Sequence, residues 1–65
     1  MNSKKLKYII TIAELKSISK AANELFISQP SLSSILSNLE KELGVTLFNR
    51  STSPLSLTYA GEKYI

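Results

Sequence analysis

The chain has 65 residues, 43% of them apolar, and a net charge of +3. A chain this short is one small domain, or a piece of one, that buries only about 60% of its unfolded surface and is marginal in stability. It contains neither Cys nor His, which excludes disulfides, thiolate metal sites and zinc fingers and removes the usual general base.

Asn2 or Ser3 can cap a first helix running to about Lys16. Leu6, Ile9, Ile10 and Ala13 give its apolar stripe, with Ile12 on the flank. Lys4, Lys5 and Lys7 occupy its first turns, where the helix dipole disfavours cations. They are either solvated or answer a charge elsewhere. Ser17-Ile18-Ser19 breaks the pattern with two capping residues. A short helix follows from about Ile18 or Ser19 to Leu25, with Ala21, Ala22 and Leu25 as its buried side. Phe26-Ile27 makes a tight apolar connection.

The longest element begins at Ser28, an N-cap whose hydroxyl can accept from an orphan N–H of the first turn. Pro30 falls in that turn, where its missing N–H costs nothing. Leu32, Leu36, Leu39 and Leu43 step by helical spacing along one face, and Gly44 supplies the stop. The other face carries Gln29, Ser33, Ser34, Ser37 and Asn38. Such a face is either a Ser-rich solvated surface or one that lies flush against a partner and exchanges hydrogen bonds with it. Short helix, tight turn and long helix is the helix-turn-helix arrangement, whose second helix enters the DNA major groove. In such motifs the N-terminal residues of that helix contact base edges, and the Gln29 amide can pair with an adenine.

After Gly44 the period changes. Val45, Leu47 and Phe48 are apolar, Asn49 to Pro54 form a polar turn, and Leu55, Leu57 and Thr58 alternate beyond it. This predicts a two-stranded wing. Thr58 can cap a last helix near Tyr59, whose start Gly61 weakens, and the helical pattern is still running at Ile65. The sequence is therefore expected to end inside an element. The core is expected to hold Leu6, Ile9, Ala13, Ala21, Ala22, Leu25, Leu32, Leu36, Leu39, Leu43, Leu47, Phe48 and Leu57.

No catalytic constellation stands out. Glu40 and Glu42 are two apart on a helix and point to different faces, and Glu14 and Glu24 read as surface charges. Two glycines are too few for a phosphate-cradling loop, and the three tyrosines read as core edge or surface. The expectation is no enzyme, no cofactor and no metal site. The longest apolar segment, Tyr8 to Ala13, cannot span a membrane, and no signal peptide is visible. A cytoplasmic location is expected. The basic balance permits a nucleic-acid partner without establishing one.

Three runs carry a resemblance. They are Ser28-Gln29-Pro30-Ser31-Leu32-Ser33, Leu39-Glu40-Lys41-Glu42-Leu43-Gly44, and Leu47-Phe48-Asn49-Arg50. With Ser19 to Leu25 and Leu57 to Gly61, they make the whole chain resemble the N-terminal DNA-binding domain of LysR-type transcriptional regulators. The resemblance implies a mainly α fold: a winged helix-turn-helix with a three-helix core, a small two-stranded β wing and the start of a linker helix. It implies operator reading on double-stranded DNA, with 28–43 in the major groove and the wing 47–58 on the backbone or in the minor groove.

Residue by residue, the resemblance implies that Gln29, Pro30 and Ser33 approach base edges or the groove wall. Ser17, Ser19 and Lys20 lie near phosphate, and Arg50 holds the wing or the backbone. Ser28, Ser31, Ser34 and Ser37 on the helix and Ser53 on the wing complete the candidate set. The resemblance further implies a longer regulator, a homodimer or tetramer through the linker helix, with a co-inducer domain beyond; this segment alone is expected to be a monomer or weak dimer. The sequence departs from the family where Ser34, Ser37 and Asn38 stand at positions that are often basic, Ile35 at one often Gln, and Ser53 at one commonly Arg. Residues 28–39 carry no cation. A winged-helix protein-interaction module with little DNA binding is the alternative.

Overall fold

The computed structural model describes residues 3–52 and 54–65. Asn2, one of the two proposed caps, and Ser53 lie outside the described residues. Helix α1 spans Ser3–Leu15, α2 Ile18–Leu25 and α3 Gln29–Leu43. Strands β1 (Phe48–Asn49) and β2 (Ser56–Leu57) follow, then α4 (Tyr59–Tyr64). The strands pair antiparallel, Phe48 opposite Leu57 and Asn49 opposite Ser56.

Four of the helix boundaries have a local cause. Ser17 caps α2, its Oγ accepting from the Lys20 N–H at 3.1 Å. Ser28 caps α3 in the same way through the Ser31 N–H at 3.2 Å, with Pro30 in the first turn. Thr58 caps α4, accepting from the Gly61 N–H at 3.0 Å. At the other end of α3, Gly44 takes a left-handed φ of 74°, and its N–H reaches the carbonyls of Glu40 and Lys41. A residue without Cβ adopts that conformation at no steric cost.

The core is Ile9 and Ile12 of α1, Ala21 and Ala22 of α2, Leu32, Leu36 and Leu39 of α3, and Leu47 and Phe48 at the start of the wing. Ala21 and Ala22 leave room for α1 and α3 to approach the α2 backbone. Tyr8, Ala13, Ile18, Leu25, Ile27, Leu55, Leu57 and Tyr64 pack around this centre, half-buried. Four residues depart from the expected stripe and core: Leu6, Ile10, Ile12 and Leu43. Leu6 and Ile10 are exposed, whereas Ile12 is fully buried. The buried stripe of α1 is thus rotated toward Tyr8, Ile9, Ile12 and Ala13. Both stripes obey helical spacing, and the side on which α2, α3 and the wing pack decides between them. Leu43 is also exposed. It is the final residue of α3, beyond the last turn that the core reaches.

The wing is fastened at both arms. The Leu55 N–H donates to the Lys16 carbonyl at 3.2 Å, joining the second arm to the end of α1. The Thr58 N–H donates to the Leu47 carbonyl at 3.0 Å, and the Thr58 hydroxyl to the Thr46 carbonyl at 2.6 Å. Gly61 lies buried under this crossing: a Cβ there would run into the Leu47 carbonyl oxygen and stand 2.9 Å from Leu57 Cδ2. Close backbone approach therefore explains a glycine in the first turn of α4. Among the described residues no helix is long and apolar enough to cross a membrane.

Candidate nucleic-acid interface

The capped start of α3 sits among three cationic neighbours, Lys16, Lys20 and Arg50. A hollow of about 570 Å³ is lined by Leu15 to Lys20, Gln29, Arg50, Pro54 and Leu55. It brings together five of the expected residues: Ser17, Ser19, Lys20, Gln29 and Arg50. Lys16 and Pro54 join them, and the sequence reading had singled out neither. The position of Lys16 next to the Ser17 cap was the available signal.

Gln29, Pro30 and Ser31 are exposed at the N-terminal end of α3. Two of the hydroxyls there already have partners. Ser28 Oγ accepts from the Ser31 N–H and donates to Ser31 Oγ at 2.8 Å. Ser28 and Ser31 therefore shape the turn that presents Gln29. Further along, Ser34 and Asn38 are exposed, and Ser33 and Ser37 half-buried. Ser37 stands apart from the Gln29 hollow. It lines a separate hollow with Glu40, Lys41, Gly44, Val45 and Thr46 at the far end of α3.

The polar side of α3 from 28 to 39 carries no cation, so positive charge reaches this surface from its edges. Lys16 comes from the end of α1, Lys20 from the first turn of α2 and Arg50 from the wing. Neither Lys16 nor Lys20 joins an ion pair among the described residues. Arg50 does: its guanidinium donates to Glu40 Oε1 at 2.8 Å.

Glu40 is the functional residue that the sequence reading missed. It is buried, and its other carboxylate oxygen accepts from the Leu47 N–H at 2.6 Å and the Phe48 N–H at 3.3 Å. One side chain of α3 thus satisfies two backbone donors of the wing and fixes the wing's arginine. The signal was helical geometry, since Glu40 lies four residues beyond Leu36 on the inward face. Glu42, two residues on, is exposed and meets Lys5 at 3.4 Å, so the two carboxylates do face apart. At the tip, Ser51 Oγ donates to Asn49 Oδ1 at 2.7 Å and Thr52 Oγ1 to the Asn49 carbonyl at 3.1 Å.

A three-helix core, a capped second helix of the turn and a fastened wing are the parts of a winged helix-turn-helix. The family described as bacterial regulatory helix-turn-helix protein, lysR family, matches residues 3–62. The chain belongs to the LysR family. Among LysR-type relatives, YcgK of Bacillus subtilis, named as an uncharacterised HTH-type transcriptional regulator, is 46% identical over 65 residues, which is 100% of this chain and 20% of YcgK.

Two solved LysR structures have the same fold. The BenM DNA-binding domain in its complex with benA site 1 DNA gives a TM-score of 0.94 at 39% identity, over 98% of this chain and 72% of that one. BenM is a regulator of Acinetobacter baylyi. Vibrio fischeri DarR, solved in complex with DNA, gives 0.94 at 31% identity, over 98% of this chain and 22% of DarR. The chain spans about a fifth of the length of the curated LysR relatives it matches.

Proposed function

We propose that this chain is the operator-reading domain of a LysR-type transcription regulator and binds double-stranded DNA sequence-specifically. The observation that carries the reading is the shared hollow, in which Gln29 at the start of α3 is flanked by Lys16, Lys20 and Arg50. Phosphate contacts position a protein on the duplex and base contacts specify the sequence. This arrangement offers both within one surface. Residues 28–43 enter the major groove, Gln29 reads an adenine edge, and Pro30 and Ser33 meet the groove wall. Lys16, Lys20, Ser17 and Ser19 face phosphate. The wing, 47–58, rests on the backbone or in the minor groove. The similarity to BenM and DarR, both solved with DNA, supports this reading.

Within the whole regulator, the domain works as part of a homodimer or tetramer joined through a linker helix that α4 begins. A small-molecule co-inducer binds outside this segment, and the protein works in the cytoplasm. The domain itself needs no cofactor and performs no catalysis.

A second reading, a protein-interaction module with little DNA binding, is favoured by one observation. No cation stands on 28–39, and Arg50 is already paired with Glu40. A gel shift on fragmented genomic DNA at low salt separates the two. The first reading predicts binding that rising salt abolishes and that retains some fragments preferentially. Absence of binding at low salt would overturn it.

A further inference from the structure

At the other end of α2, away from the Gln29 hollow, the structure shows a second surface that the operator-reading role does not use. Phe26 follows the last residue of α2. It is 94% exposed, and its backbone is left-handed with φ of 59°. Both properties are unfavourable for an aromatic residue. An exposed ring gains nothing from burial, and a bulky residue at positive φ is strained where Gly or Asn would not be. Phe26 rims a hollow of about 480 Å³ together with Lys4, Lys7, Tyr8, Thr11, Glu24 and Leu25. Lys4 stands in the first turn of α1, where the helix dipole disfavours a cation, and Lys7 follows three residues on along the same side of the helix. Neither joins an ion pair among the described residues. The strained aromatic and both lysines thus converge on one recess, which the half-buried Tyr8 and Leu25 also line. None of its lining residues lines the Gln29 hollow.

We infer that this recess docks an acidic segment of a partner protein. One apolar side chain of that segment enters between Tyr8, Leu25 and Phe26, and its carboxylates meet Lys4 and Lys7. Charge complementarity selects the partner: two ammonium groups oppose the single carboxylate of Glu24 at the rim. Exposed aromatic side chains are enriched at interfaces, and cations beside one select an acidic partner. The inference is independent of the operator, because DNA is assigned to the opposite end of α2.

The test uses the chain, isotope-labelled for amide NMR, and a synthetic amphipathic peptide with Asp and Glu on one face and Leu and Trp on the other. A sequence-scrambled peptide is the control. The expected result is saturable shifts confined to Lys4–Thr11 and Glu24–Phe26, absent with the scrambled peptide. Phe26→Gly should weaken binding at least tenfold, and Lys4→Glu with Lys7→Glu should abolish it. Phe26→Gly relieves the left-handed strain, so its melting temperature should be unchanged or higher; a lower one would show that Phe26 serves packing and would overturn the proposal. Shifts spread over all lysines, or centred on Lys20 and Gln29, would also overturn it. So would movement of the same recess residues on adding duplex DNA alone, or on raising chain concentration alone, which would assign the recess to DNA or to a second copy. If the DNA-binding reading fails in the gel shift, the peptide result still stands or falls by itself.

Discussion

The two ends of α3 are built for different work. At the N-terminal end, Ser28 and Ser31 bond to each other and leave Gln29, Pro30 and Ser34 facing outward. At the C-terminal end, Glu40 is buried and committed to three donors, and Gly44 closes the helix. Apart from the Ser28 cap, the exposed side chains of the first end can be altered with little effect on folding. The second end joins the helix to the wing, so a change there moves both. A helix that presents a surface at one end therefore anchors its neighbour at the other, and the base reading proposed for Gln29 and the fastening of the wing by Glu40 fall on separate residues.

Breaking the C-terminal end should have the largest effect. Glu40→Ala removes the acceptor for the Leu47 and Phe48 amides and leaves those donors without a partner. Unsatisfied buried donors cost roughly 1–3 kcal/mol each, so a loss of about 3 kcal/mol is expected. In a domain this small that lowers the melting temperature by roughly 10 °C or more. Thermal unfolding followed by circular dichroism measures it, and a fall under about 1 kcal/mol would reduce Glu40 to a peripheral contact.

Gly61→Ala should come next. The added methyl meets the Leu47 backbone carbonyl, which cannot swing aside as a side chain would. Overpacking of this kind costs about 2 kcal/mol, and the same unfolding measurement reads it. Melting unchanged from the parent would mean that α4 does not cross the wing as described.

At the N-terminal end, Ser28→Ala removes a cap and should cost about 1 kcal/mol. Urea unfolding should show a shifted midpoint with an unaltered slope. An equal loss from Ser34→Ala would erase the distinction between capping and presenting residues at that end. The smallest effect on folding is expected for Ser34→Arg, which places a cation on an exposed position of α3. It should leave melting unchanged and steepen the salt dependence of DNA binding by about one unit. An unchanged slope would show that this side of α3 does not meet the phosphates.

Much of this division was legible in the sequence. The caps Ser17, Ser28 and Thr58 and the stop at Gly44 rest on local chemistry, and the structure has all four. The apolar row Leu32, Leu36 and Leu39 was legible for the same reason, since spacing alone puts it on one face. The α1 stripe was not. Leu6 and Ile10 are as apolar as Ile12, and only the placement of α2, α3 and the wing decides which side is covered. Glu40 and Gly61 were missed because their reasons are tertiary. A carboxylate is charged in any sequence, and only the approach of the wing amides turns it inward. A glycine reads as a helix weakener until another backbone is found lying across it. In the Gln29 hollow, Ser17, Ser19, Lys20 and Arg50 were named from the resemblance and Gln29 also from the helix-turn-helix pattern, whereas Lys16, Pro54 and the pairing of Arg50 with Glu40 follow from the structure.

The central claim is that the open end of α3 reads bases. It is tested most directly by selecting operator sequences from random duplexes with the parent chain and with Gln29→Ala, then measuring affinity for the selected site and for unrelated DNA. The account predicts that Gln29→Ala loses base preference at one operator position while its affinity for unrelated DNA stays nearly constant. Equal weakening on every duplex, with no position losing its preference, would make Gln29 a positioning residue and contradict the account.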